Sequence, residues 1–331
     1  MKRIVFIFLA LFSGLLGFSQ TESEKALAKG RTFMQQGDYS NAVIVLYLAS
    51  QKDPENLELA KSLSLCYYYQ HNYQNALELI RQQLDKPEAD DQCYLITSDI
   101  YQQTDQLKEA EKTLKKGMKR FPESGPLYAE LGELQYLQKK SDAITYWEKG
   151  MEKDPSYGKN YYNAARYYFK SGDVLKALLF GEIYVNMEPL SQNTPEVKGL
   201  MLKGWRQLFS PENQKNNEAL KGFYADLFHV LQRHADVLSS GVNTESLTML
   251  RSLFIIDWFK EHAANYPFPL FNFQQQMLQE GYFESYQQWL FGSAENLSEF
   301  KKWTTAHSDD YSNFIKWHQN KVFKISELKI Y

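Results

Sequence analysis

Most of the patterns that announce chemistry are missing from this 331-residue chain. With two cysteines in all, Cys66 and Cys93, it has no material for a disulfide framework or a cysteine-rich zinc module. It contains no His-Glu-x-x-His, no Gly-x-Ser-x-Gly and no glycine loop for phosphate. His229 and His234 share one predicted helix but stand five residues apart, off the spacing of three or four that brings two ligands to one face. No catalytic residue, metal ligand or cofactor is expected, and each histidine, His307 and His318 included, is read as a surface or hydrogen-bonded core residue. A basic excess is missing too. The 37 Lys and Arg against 40 Asp and Glu leave a formal charge of −3, which argues against nucleic acid as a partner. Past residue 18 no apolar run approaches the ~20 residues that cross a bilayer.

What is present begins with a leader. Met1-Lys2-Arg3, the apolar run Ile4 to Phe18, and small residues Gly17 and Ser19 before Gln20 have the layout of a secretory signal peptide, residues 1–19. No cysteine stands at the cut, so a lipoprotein is not expected. The expected product is exported, periplasmic or secreted, with no stable membrane insertion after cleavage.

The strongest positive signal is a period. Ala42, Ala76, Ala110, Ala143 and Ala177 recur at intervals of 34, 34, 33 and 34 residues, each inside an apolar stretch that closes near a proline. A unit of that length cannot bury its own apolar face and must stack on its neighbours. Aligned on the alanines, the first unit runs Gly30, Phe33, Gly37-Asp38-Tyr39, Ala42, Leu46, Ala49, Pro54. The second has Ser64, Tyr67, Tyr73, Ala76, Ile80 and Pro87. The third has Ser98, Tyr101, Leu107, Ala110, Leu114, Gly117 and Pro122. The fourth, Gly132, Ala143, Trp147, Gly150 and Pro155, has lost one residue between its helices; the fifth has Ala165, Tyr168, Gly172-Asp173, Ala177 and Pro189. Small residues let helices approach, a large residue one turn on fills the gap, and Gly37 and Gly172 can end a helix in the left-handed conformation. In the fifth unit the large and small slots are reversed as Gly181 and Tyr184, so something other than a sixth unit is expected to pack there. In this register Cys66 and Cys93 are offset by about 10 Å along their helices, beyond the ~7 Å a disulfide tolerates between Cα atoms, and two buried free thiols are expected.

These residues resemble the tetratricopeptide repeat (TPR) family over residues 23–191. The resemblance implies an all-α, right-handed solenoid of helix-turn-helix units whose concave side, lined by the first helix of each unit, receives a protein or peptide. On that pattern the lining comprises Arg31, Lys61, Tyr68, Tyr69, Asp99, Glu133, Tyr136, Lys159, Tyr162, Arg166, Phe169 and Lys170. The far end combines three cations with two rings, suited to an acidic segment laid against an apolar contact. One TPR group clamps a chaperone carboxylate, but Leu27, Arg31, Ser62, Gln92 and Ile96 stand at the clamp positions, so that binding is not carried over.

A helix from Thr194 as cap, with Pro195 in its first turn, towards Phe209 is expected to close the array. The solenoid with this helix is assigned residues 20–209, and a C-terminal helical module residues 210–331. Within the module, helices are expected over 218–238, 244–265, 271–279, 283–291, 297–307 and 311–321, the last capped by Ser308-Asp309-Asp310. It holds four of the six tryptophans, Trp258, Trp289, Trp303 and Trp317. Short helices that bury little aliphatic surface need such rings for a core; the rival reading is an exposed platform for glycan or peptidoglycan, easiest to expose between Gly281 and Gly292. The expected function is non-catalytic binding of a protein or peptide in envelope assembly or secretion. The alternatives are glycan binding by the C-terminal rings, and an enzyme without a recognisable motif, which requires polar residues converging in a closed pocket.

Overall fold

The computed structural model describes residues 21–213 and 217–331, and the expected leader lies outside the described residues. Among the described residues every regular element is helical, and they fall into two compact units, one ending at Thr104 and the other running from Asp105 to Tyr331.

In the first unit α1 (Glu22–Gln35) and α2 (Tyr39–Lys52) form one hairpin, α3 (Leu57–Tyr69) and α4 (Tyr73–Arg81) the next, and α5 (Asp91–Gln103) follows. Each start is chemically marked. The Thr21 side chain accepts from the Glu24 amide while Glu24 reaches back to the Thr21 amide, and Asp38, Asn56, Asn72 and Asp90 each accept the amide three residues on. Ala42, Leu46, Leu59, Leu63 and Cys66 form the core. Gly30 is small by necessity, since a Cβ there would stand 2.8 Å from Leu46. Both cysteines are free and buried, and burial pushes their thiols up to about 11 at Cys66 and about 12 at Cys93, so neither is a nucleophile at neutral pH.

The turn inside each hairpin carries a regularity beyond the two glycines. Gly37, His71, Asp105, Lys139 and Gly172, spaced 34, 34, 34 and 33 residues, all have positive φ between 57° and 88°. Three units therefore hold a side chain in the conformation glycine prefers, at roughly 1–2 kcal/mol each. The residue missing from the fourth unit is lost just after this turn. Five residues separate the left-handed position from the alanine elsewhere, four separate Lys139 from Ala143, and the second helix begins at Ala143 itself instead of three residues earlier.

The second unit begins with α6 (Leu107–Arg120), continues with the hairpins α7 (Gly125–Leu137) with α8 (Ala143–Lys153) and α9 (Gly158–Ser171) with α10 (Val174–Met187), and reaches α11 (Thr194–Leu208). The closing helix is present, but Thr194 is its first residue and not its cap: Asn193 holds the cap position, and the Thr194 hydroxyl donates to the Glu188 carbonyl. At the reversed slots of the fifth unit, a Cβ on Gly181 would lie 3.1 Å from Met201 and 3.3 Å from Val197, so α11 is the element that packs there.

The remaining helices are α12 (Phe223–Gln232), α13 (Thr244–Glu261), α14 (Pro269–Gln279) and α15 (Phe283–Gln287), which passes through a π turn, Gln288–Gly292, into α16 (Ser293–Glu295). Then come α17 (Leu297–Ala306) and α18 (Ser308–Asn320). Several boundaries differ from expectation: α13 ends at Glu261 and not at 265, and α14 starts at Pro269 and not at 271. Gly222, at φ 55°, delays α12 to Phe223; residues Ala235–Leu238 form a 3-10 turn; and α18 starts at Ser308 without a side-chain cap, leaving Asp309 and Asp310 in its first turn.

Helix α10 joins these helices to the repeat hairpins. Twelve of its fourteen residues are buried, against four of eleven in α8, because α9, α11 and α14 all pack on it. One continuous core runs from Trp147 and Tyr161 through Phe180 and Trp205 to Phe254, Trp258, Phe271, Tyr286 and Phe314. The C-terminal segment after α18 adds Phe323, Ile325 and Leu328, and Tyr331 stacks on Phe223 at 4.6 Å.

Candidate functional site

The residues expected to line a binding surface occupy first helices in both units. In the first unit Arg31 and Tyr69 are exposed, Tyr68 and Asp99 are half-buried, and Tyr69 stacks on Tyr39 at 5.0 Å. Lys61 is different: it is 4% exposed and ion-paired with Asp90 and, at 2.6 Å, with Glu58. Burial lowers the Lys61 amine and the two carboxylates more than offset it, so its pKa is raised and its charge stays within the fold.

The second unit brings seven of the residues onto α7 and α9, with α11 beside them. Tyr136 and Glu133 come from α7, and Lys159, Tyr162, Arg166, Phe169 and Lys170 from α9. The three cations are not isolated. Lys159 lies 2.7 Å from Glu133 and 3.4 Å from Glu130. Arg166 lies 3.2 Å from Glu196 on α11 and over the Tyr162 ring, and the Tyr162 hydroxyl donates to the same carboxylate at 3.2 Å. Lys170 donates to the Tyr136 hydroxyl at 3.1 Å and sits over its ring. Three acids therefore balance three cations, and the strip is a mixed ladder rather than a basic patch. It remains open to solvent: the Arg166 and Glu196 side chains are each 52% exposed, and Leu137, which follows Tyr136 on α7, is 68% exposed. Pairs this exposed contribute at most ~1 kcal/mol and exchange partners cheaply.

These pairs share a spacing that a sequence can show. Lys159 with Glu130 and Lys140 with Glu111 are 29 residues apart; Arg166 with Glu196 and Lys153 with Glu123 are 30 apart; Tyr162 with Glu196 and Lys170 with Tyr136 are 34 apart. Glu196 was missed because it lies on the closing helix, outside the five repeats, yet one period back from it stands Tyr162.

Polar residues also converge inside the C-terminal part. Glu182 of α10 forms a buried ion pair with Arg251 of α13, and the same Glu182 oxygen accepts from Gln274 at 2.6 Å and from the Tyr286 hydroxyl at 2.8 Å. Arg251 also donates to Gln287 at 2.6 Å, Asn186 donates to the Tyr286 hydroxyl at 2.7 Å, and His318 donates to Asn186 at 3.2 Å. The cavity bounded by Glu182, Arg251, Gln274 and Trp205 measures about 30 Å³. That holds one water and no substrate. Glu182 and Arg251 are satisfied by these partners, while the Gln287 amide nitrogen and the Trp205 indole N–H beside them are buried without one; the cluster acts as a fastening between α10 and the C-terminal helices.

The four C-terminal tryptophans divide. Trp258 is fully buried, while Trp289, Trp303 and Trp317 are half-buried. Trp289 covers Lys198, whose ammonium lies 3.4 Å from the ring centroid and donates to the Trp289 carbonyl at 2.7 Å. Burial without an acid partner pulls the Lys198 amine down to about 7, and His318, buried near Lys198, down to about 4. The sign for stability follows. Above pH 10.5 Lys198 is neutral in both states. As pH falls the unfolded chain takes the proton first, so stability drops until about pH 7 and then levels off. Lys198→Met is expected to raise stability at pH 7 by about 1–4 kcal/mol. Urea unfolding at pH 7 and pH 9.5 should show this advantage shrinking by on the order of 2 kcal/mol at the higher pH; an advantage that is independent of pH contradicts the assignment.

Residues 18–117 match the family model described as anaphase-promoting complex, cyclosome, subunit 3. Among solved structures, a thermophilic TPR protein of Thermus thermophilus is 17% identical, with 57% of this chain and 100% of that one covered and a TM-score of 0.44. PilF of Pseudomonas aeruginosa is 16% identical, with 59% and 88% covered and a TM-score of 0.48. PilW, described as a widely conserved type IV pilus biogenesis factor, is 17% identical, with 61% and 92% covered and a TM-score of 0.46. No curated protein matches the chain. The repeat segment is TPR-like, every regular element among the described residues is helical, and the second unit ends in an aromatic-rich helical module.

Proposed function

We propose that the chain is a non-catalytic scaffold that binds a protein or peptide segment along the first helices of its hairpins, and that it does so outside the cytoplasm, in the periplasm or beyond, in envelope assembly or secretion. The observation that carries the reading is the open ladder on α7, α9 and α11. Tyr136, Tyr162 and Phe169 supply ring area, the kind of side chain that dominates binding energy. Arg166 and Lys170 supply donors that are held in place by Glu196 and Tyr136 yet half in water. An incoming carboxylate can replace Glu196 at Arg166 at little cost, because the exposed pair it displaces is weak. In the first unit Arg31, Tyr68, Tyr69 and Asp99 belong to the same reading, and Lys61, buried in its ion pairs with Glu58 and Asp90, ties α3 to the start of α5.

The test is capture of the cross-linked native partner by a Tyr162→Ala, Arg166→Ala chain. Recovery is expected to fall at least about tenfold, since two anchors of ~1–2 kcal/mol each are lost. The chain should stay folded at a cost of about 1–3 kcal/mol, because Tyr162 is half-buried against the core beside Tyr184 while Arg166 is exposed. Undiminished recovery would remove the strip as the binding surface.

A further inference from the structure

The C-terminal helices border an open groove of about 540 Å³ between the start of α13 and the length of α17. That volume lies in the range of about 300–1,000 Å³ typical of small-molecule sites. Its floor is the π turn, a rare element that recurs at functional positions.

Both walls are fixed. Glu295 accepts from the Thr244 amide at 2.7 Å and from the Thr244 hydroxyl, which ties the α16 end of the π turn to the first turn of α13. A Cβ on Gly292 would lie 2.6 Å from the Phe300 ring, so glycine is what lets α17 close this tightly on the turn. Helix α17 has no buried residue, yet it carries Phe300 and Trp303, both lining the groove. Trp303 is held rather than loose: His307 stacks on one face at 4.4 Å and 14°, and Tyr311 meets it edge-on.

An indole on the wall of a polar groove can pack the apolar face of a ring whose edge is hydroxylated. The acceptors such a ring needs are there: the Glu245 carboxylate and the Gln288 amide line the same groove. Glu245, Glu295 and Glu299 against Lys302 make the lining acidic, which excludes anionic ligands. One indole and one phenyl leave too little apolar lining for successive peptide side chains, whereas a single sugar ring needs no more.

We propose that this groove is a saccharide subsite that takes an uncharged or amine-bearing pyranose against Trp303, with hydroxyls donated to Glu245 and Gln288. It is separate from the α7, α9 and α11 strip, and either stands if the other fails.

The test is calorimetric titration of the full chain with triacetylchitotriose and with cellotriose. Saturable binding of at least one trisaccharide is expected, with a dissociation constant of about 0.1–1 mM. Trp303→Ala should weaken it by about tenfold or more, as loss of an anchor ring does, and Trp303→Phe should recover part of the loss. The Tyr162→Ala, Arg166→Ala chain should bind as the wild type does. No saturable heat with either sugar, affinity unmoved by Trp303→Ala, or tighter binding of trilysine than of both sugars would overturn the proposal.

Discussion

Replacing Arg251 by methionine should lower the unfolding free energy by about 3–5 kcal/mol, because it strands a buried carboxylate. Glu182 and Arg251 are each about 3–4% exposed, and Gln274 and Tyr286 donate to Glu182 only as neutral partners. Methionine keeps most of the volume beside Trp205, Phe283 and Phe291, whose rings surround the guanidinium, so the loss reports charge and not a cavity. The double variant Glu182→Leu, Arg251→Met should regain most of the loss, since a well-packed apolar pair is often no worse than a buried ion pair. Urea unfolding of the wild type, Arg251→Met, Glu182→Leu and the double variant measures the cycle. By contrast the exposed pair Arg233–Glu261, 2.7 Å apart, should be worth at most ~1 kcal/mol.

Ending the chain at Asn320 should cost on the order of 5 kcal/mol, the transfer of three buried side chains to water plus exposure of their partners. Phe323 packs on Phe273 at 5.1 Å, Ile325 and Leu328 are buried, and the Tyr331 hydroxyl donates to the Pro267 carbonyl at 3.2 Å while its ring covers Phe223. No helix holds these eleven residues, so their order comes from burial together with the Tyr331 hydrogen bond. Calorimetry should show a melting temperature lowered by ten degrees or more, on the scale of about 2–4 °C per kcal/mol for a domain of this size. Tyr331→Phe, which removes only one hydrogen bond, should cost no more than about 1.5 kcal/mol.

How much of this was legible depends on distance along the chain. The five alanines that defined the period are each 0% exposed, because a fixed repeat forces the same close helix contact five times. The turn conformation at His71, Asp105 and Lys139 was hidden by residue type, since glycine signals positive φ far more strongly than any of these three. Register alone, one period from Gly37, points to it. The seven second-unit strip residues lie on α7 and α9, where the repeat positions put them, but their pairing with Glu130 and Glu196 was not read. Helices in the C-terminal module were visible from apolar spacing. Their fastening was not: Glu182 finds Arg251 69 residues away and Tyr286 104 away, and Asn186 finds His318 132 away. No local period encodes such a pair. The one visible clue was a glutamate inside the apolar run from Val174 to Met187, a charge that only a buried partner can justify.

The arrangement as a whole turns on α10 being shared, so that the fourth and fifth hairpins and the C-terminal helices rise and fall together. Native-state hydrogen exchange on the intact chain tests this most directly. Amides in α8, α9 and α10 and amides in α13, α14 and α15 should open with the same free energy, to within about 1 kcal/mol, as expected of one cooperative unit. Exchange of α13 to α15 through an opening several kcal/mol cheaper, with α8 to α10 still protected, would contradict it.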